Sequence, residues 1–241
     1  MALRMKRIYL DQNMWIELSR ARLGSTGAKQ GFSDAYQLAR HAAAHGLASF
    51  VLSQTHMYET QKRQQWDKRL DIVETMIELS HLHTIRHVTT VVPLEADSAV
   101  GTLGGFATVQ PSVFGYGIKS MLTKDTNLQG VPRWFDLRTL GYRESFVELA
   151  NSGGPSHAWD SLLLAGAPPG ITDPRILTAL AGVDAAFAAD QAQVAAKVKS
   201  LGVKGSQLEE ALTQYTLLEV RHELFRAATE CGISPEAVGT S

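Results

Sequence analysis

The chain has a single cysteine, Cys231, in 241 residues. One thiol makes no intrachain disulfide and anchors no Cys-based zinc site, so the composition suits a reducing compartment and points to a cytoplasmic protein. Long apolar runs are also missing. Nothing approaches the ~20 consecutive apolar residues of a membrane span. The opening MALRMKRIYL reaches Asp11 after only a short apolar run, too early for the apolar core of a secretory signal. An excess of one charge is missing too, with 23 Lys and Arg against 24 Asp and Glu and a net charge of −1. A neutral chain has no global field to hold it on a polyanion, which excludes a sequence-indifferent DNA coat and confines any nucleic-acid contact to a local patch. No glycine-rich phosphate loop follows either early strand, and there is no G-x-S-x-G elbow. These absences set aside an α/β hydrolase-like enzyme acting on a small phosphorylated ligand.

What remains is the composition of an ordinary globular protein, 44% hydrophobic and 20% charged. Residues 6–10, KRIYL, are apolar, β-branched and aromatic, and read as a short buried strand ending at Asp11. A helix follows from Met14 to Leu23. Ser33 suits the N-cap of a second helix running to about Ala44, and ASFVL at 48–52 reads as a second strand. Ser53 is placed to cap a helix carrying Glu59, and another helix is expected over Asp67 to Ser80. TIRHVTTVV at 84–92 reads as a third strand closed by Pro93. The order β-α-α-β-α-α-β favours a parallel sheet flanked by helices. Ligands of such sheets bind beyond the carboxyl ends of the strands, where Asp11 and the Ser53–Glu59 segment both fall.

The segment RIYLDQNMWIELSRA delivers an Asp at a strand end, then Asn13, then an apolar helix. VLSQTHMYETQKR repeats the plan, with Ser53 and Thr55 at the turn and Glu59 in the helix. A hard divalent cation prefers carboxylate oxygens held rigidly, with a neighbouring polar side chain to orient them. On these two motifs the first hundred residues resemble the PIN-like family of metal-dependent ribonucleases. That resemblance implies an α/β fold with a PIN-like parallel sheet, Mg²⁺ or Mn²⁺ as cofactor, and RNA as substrate. It also implies a toxin, defence or RNA-processing role, with an antitoxin or other protein partner or a second copy of the chain. By the same resemblance Asp11 and Glu59 hold metal and Asn13 orients Asp11 or touches a phosphate. The plain alternatives are an Asp that caps its helix and a surface Glu paired with Lys62 or Arg63.

The family completes its site with further Asp residues. Asp160, which opens the apolar helix of SHAWDSLLLAG, and Asp125 in LTKDTN are the candidates here. Lys62, Arg63, Lys68 and Arg69 follow Glu59 and form the local basic patch that a phosphate backbone would meet, while Trp66 among them is expected to pack. The His81/His83 and His157/Asp160 pairs also have ligand-like spacing, but satisfied histidines explain them better. After residue 100 the chain turns loop-rich and then helical, over 173–202 and 204–230. The division expected is a 1–100 α/β core and a 101–241 helical, loop-rich region. A fourth strand must come from 101–140 or from residues beyond 241. The second functional reading is a catalytically incomplete PIN-like scaffold or fragment that binds RNA or protein.

Overall fold

A computed structural model of the chain describes residues 5–108, 111–122, 136–202 and 207–234. Along the sequence run β1 (Lys6–Tyr9), α1 (Gln12–Arg22), α2 (Phe32–Ala44), β2 (Ala48–Val51), α3 (Gln54–Gln61), α4 (Trp66–Ser80) and β3 (His83–Ile85). Then come α5 (Val88–Leu103), β4 (Phe114–Tyr116), a 3-10 helix (Ile118–Met121), α6 (Glu144–Asn151), α7 (Pro155–Ala165), α8 (Pro174–Leu201) and α9 (Gln207–Glu230). The protein is a mainly helical α/β structure with small sheets.

β1 and β2 pair in parallel, with Lys6 opposite Ala48 and Tyr9 opposite Val51. β3 and β4 pair antiparallel, with His83 opposite Tyr116. A parallel bridge from Leu52 to Thr84 joins the two pairs, through Leu52 N–H to His83 O at 2.9 Å and Ile85 N–H to Leu52 O at 2.7 Å. The extended parallel sheet expected from the sequence is thus reduced to very short strands, and its fourth partner does come from the 101–140 region. The third strand is much shorter than TIRHVTTVV suggests. It ends at Ile85, and Val88 opens a helix that carries Pro93 inside it. Two forces override the β-branched run. The ring of His87 caps the helix by accepting from Thr89 N–H, and Ala96 and Val100 at i, i+4 bury against Ala227 and Ala228 of α9. Tertiary packing routinely outweighs local strand propensity in this way.

The chain forms two compact units. The first contains, of the described residues, 5–86, 114–122 and 136–182. Its core joins Trp15 and Leu18 of α1, Phe50 and Val51 of β2, and Leu70, Val73, Met76 and Ile77 of α4 to Phe146 of α6 and Leu162 and Leu163 of α7. β2 is buried along its whole length, which explains its unbroken apolar and small residues. The second unit contains, of the described residues, 87–108, 111–113, 183–202 and 207–234. Its core is the pairing of α5 with α9 through small side chains, with Leu224 and Ile233 packed against it. Among the described residues no helix is long and apolar enough to cross a membrane.

Candidate functional site

Asp11 follows β1 directly and stands as the N-cap of α1, with extended backbone at φ −75° and ψ 169°. Its Oδ1 accepts the Met14 N–H at 2.8 Å, the one hydrogen bond to this carboxylate among the described residues. The side chain is exposed, so Oδ2 remains available to solvent or to a ligand. Capping and ligation are therefore compatible here: one oxygen holds the carboxylate at the helix start, and the residue stays exposed. Asn13, two residues on, is likewise exposed.

The strand pairing brings the start of α3 beside this turn. His56 of α3 is 1% exposed and is pinned on both nitrogens. Nε2 donates to Leu10 O at 2.7 Å, which leaves Nδ1 to accept the Ser53 N–H at 3.1 Å. This pair of partners selects the neutral Nε2–H tautomer. Burial lowers the pKa of the imidazole, against the opposing effects of the Leu10 hydrogen bond and the Asp11 charge. Beside it, Gln12 Nε2 donates to Thr60 Oγ1 at 3.0 Å, tying α1 to α3.

Glu59 is three residues past His56, about 60° around the helix from it, and is exposed. Among the described residues it makes none of the ion pairs with Lys62 or Arg63 expected of a plain surface glutamate. Lys62 instead lies over the Tyr58 ring, 4.0 Å from its centroid. Lys68, in the first turn of α4, is exposed. Arg63 accepts at its backbone oxygen from Arg69 Nε at 3.0 Å. Arg69 is consumed by the fold: besides that bond, its guanidinium lies over Trp66 at 5.4 Å. Trp66 meets Tyr142 edge-on at 5.4 Å, so it packs as the sequence suggested.

Asp160 is not brought to Asp11. It is only 8% exposed, and its Oδ1 accepts the Ile118 N–H at 2.8 Å, at the start of the 3-10 helix that follows β4. Because β4 runs antiparallel to β3, that turn lies beside Leu82, whose carbonyl accepts from Gly117 N–H at 2.9 Å. By the register of the bridge and of the parallel pair, Leu82 is level with Phe50 and Ile8, within the strands, whereas Asp11 lies beyond the end of β1. Burial pushes the Asp160 carboxyl up to about 6 against the pull of the Ile118 and Lys119 amides. The ligand-like histidine spacings resolve into backbone contacts, with His83 Nδ1 on Ser80 O at 2.9 Å and His157 Nδ1 on Ala150 O at 2.8 Å. Asp125 lies outside the described residues.

The sequence did not reveal a charged network between α1, α2, α4 and α6. Glu74 is 1% exposed and receives Arg143 Nε at 2.7 Å, Ser145 Oγ at 2.8 Å and Arg22 Nη1 at 2.8 Å. Burial alone would raise its pKa, but the hydrogen bonds from Arg143 and Ser145 and the charges of Arg143 and Arg22 outweigh it and hold the carboxyl below its ordinary value. Glu78 receives the Tyr36 hydroxyl at 2.8 Å, and burial with that bond drives the phenol up to about 12. These groups line a cleft of about 760 Å³. Glu74 is matched by Arg22 and Arg143 and Glu78 by Arg22 and Arg40, so the network serves as a clamp between helices. Arginines on one helix and acids on another give no sequence motif, so only the packing reveals them.

Compared with family models, characterised proteins and solved structures, the chain matches none. The chemistry must therefore be judged from the residues. Among those described, no group of three or more His, Cys, Asp or Glu side chains is placed to hold a metal ion. Mg²⁺ asks for less: it keeps several waters and takes one or two protein carboxylates together with substrate phosphates. Asp11 and Glu59 each offer an exposed carboxylate of this hard-oxygen kind.

Proposed function

We propose that the chain is a Mg²⁺- or Mn²⁺-dependent ribonuclease of the PIN-like type. The observation that carries this reading is Asp11: exposed at the carboxyl end of β1, fixed through one oxygen by its own helix, and unspent at the other. Asp11 and Glu59 would hold the ion, which supplies a Lewis acid for a phosphodiester oxygen and lowers the pKa of a water. Asn13 would orient the carboxylate or meet a phosphate. Lys62, Arg63 and Lys68 provide the local positive charge that a chain of net charge −1 otherwise lacks. A toxin, defence or RNA-processing role in the cytoplasm, with a protein partner or a second copy of the chain, is the biology that the resemblance suggests.

A specific observation favours the second reading, an incomplete scaffold that binds RNA or protein. The buried turn of α3 presents His56, already committed to Leu10 and Ser53, and not a carboxylate. The two readings separate in one experiment. The purified chain is incubated with single-stranded RNA and Mn²⁺ or Mg²⁺, and its melting temperature is followed with and without the metal. The nuclease reading expects cleavage and a metal-induced rise in melting temperature, both lost in Asp11→Asn and Glu59→Gln with the circular dichroism unchanged. Cleavage undiminished in Asp11→Asn defeats it. RNA binding without cleavage and without a metal response selects the scaffold.

A further inference from the structure

Two residues before Asp11 the chain holds an aromatic ring in the open. Tyr9 is 53% exposed, although it ends a strand whose neighbour β2 is buried throughout. One face of the ring is occupied: the imidazole of His56 stacks on it at 4.9 Å between centroids with 26° between the planes. That imidazole is itself immobile, bonded through both nitrogens and met on another side by Trp15 at 6.1 Å, close to perpendicular. The Tyr9 hydroxyl lies 3.5 Å from Ser53 Oγ, at the turn after β2. An exposed tyrosine ordinarily samples several rotamers, and ordering it on binding costs free energy. Here one face and the tip are already held, so that cost is small.

We propose that Tyr9 is a stacking platform for an unpaired nucleobase of single-stranded RNA, placing the adjoining phosphate at the Asp11 turn. The inference rests on the ribonuclease reading and names the kind of contact that reading lacks. With 23 basic and 24 acidic residues, the chain draws little affinity from its overall charge. A non-electrostatic contact must then supply much of the binding, and stacking of a base on an aromatic ring strengthens binding by roughly one order of magnitude and tolerates any base. Tyr9 and Asp11 are two residues apart and both exposed, so extended chain sets them about 6.6 Å apart at most. The base and the phosphate of one nucleotide can therefore address both. Double-stranded RNA keeps its bases stacked on one another and offers Tyr9 nothing.

The test measures binding of a fluorescent single-stranded RNA to the full chain by anisotropy, in EDTA at fixed salt, so that cleavage does not intervene. Tyr9→Ala and Tyr9→Leu are expected to weaken binding about tenfold, the lower to middle range of one stacked base. Tyr9→Phe and Tyr9→Trp, which keep a π face, are expected to bind like the wild type. Leucine covers His56 with apolar surface but cannot stack, so it separates a platform from a residue that merely shields the histidine. If wild-type protein binds RNA and Tyr9→Leu binds it equally well, the platform is refuted while the ribonuclease reading stands. If wild-type protein binds no single-stranded RNA, the platform falls, and the metal-dependent cleavage assay decides the ribonuclease reading separately. An equal loss on duplex RNA also overturns the inference, because a duplex has no free base to stack.

Discussion

Asp11 and Asp160 perform the same local task in two different places. Each accepts a backbone N–H at the start of a helical segment, at 2.8 Å from Met14 in one case and 2.8 Å from Ile118 in the other. Asp11 does so in solvent, at the end of β1. Asp160 does so in the interior, across the turn after β4, with its carboxyl pushed up to about 6 by burial. A cap in water costs nothing to keep charged and leaves its second oxygen free for other work. A buried cap is paid for in desolvation and has its surroundings closed around it. The sequence sets both at the head of an apolar helix, but Asp160 stands in the middle of α7 (Pro155–Ala165) and serves the start of a different segment, so position and burial together separate an exposed cap from a structural fixture.

The largest expected effect strikes the buried cap. Gly117 has φ +76° and ψ 160°, a region open essentially to glycine alone. A Cβ there would also lie 2.6 Å from Asp160 Oδ2. Gly117→Ala should cost about 3 kcal/mol in urea unfolding, strain and clash together. A loss below about 1 kcal/mol would show that the turn and its aspartate yield easily, and the contrast with Asp11 would weaken.

The next prediction uses pH. The Asp160 carboxyl rises from 3.8 to about 6 on folding, so its proton is bound more tightly in the folded protein. Its contribution to stability is then complete below pH 3.8 and lost as pH rises through about 6. Asp160→Asn does not titrate, and all other groups are common to both proteins. Wild type should therefore gain on the variant by about 2–3 kcal/mol between pH 7 and pH 4. A gap that stays constant with pH would mean that the carboxyl is not buried as described.

The smallest effect belongs to the exposed cap. Asp11→Ala should cost about 1 kcal/mol, the ordinary loss of an N-cap, whereas Asp11→Asn caps nearly as well and should change stability by only a few tenths. Thermal unfolding of the two variants measures this directly. If Asp11→Asn proved as damaging as Gly117→Ala, the aspartate would be a structural fixture like Asp160, and its candidacy as a ligand would suffer.

The elements near Asp11 were legible because local rules govern them. KRIYL ends where an Asp can cap the next helix, and ASFVL lacks polar side chains apart from Ser49 because its strand is covered along its length. α4 begins at Trp66, one residue before its expected start, whereas α2 begins at Phe32 with Gly31 as its N-cap, so Ser33 lies inside that helix and does not cap it. The third strand was misread because Val88, Thr89, Thr90, Val91 and Val92 have strand propensity, whereas the helix they form is decided by the burial of Ala96 and Val100 against α9. Tyr9 and His56 escaped notice individually. In the sequence, Tyr9 is one more apolar residue in a strand, and His56 is one histidine in a polar helix. Their stacking needs β1 and β2 to be paired first.

By itself, then, the sequence determined which segments can be strands and helices near the amino terminus, and that Asp11 follows the first strand while Glu59 lies in the helix after the second. It also determined that the chain has no charge surplus and no thiol pair to build with. Those properties reside in single residues and their immediate neighbours, where capping, periodicity and composition act. Tertiary structure alone decided that Asp160 turns inward beside Leu82, that Glu74 is clamped between Arg22 and Arg143, and that Tyr9 stands open against His56. Each of these depends on side chains separated by tens of residues meeting at a set distance and in a given degree of dryness. Burial and register are properties of the packed chain, and no local pattern encodes them.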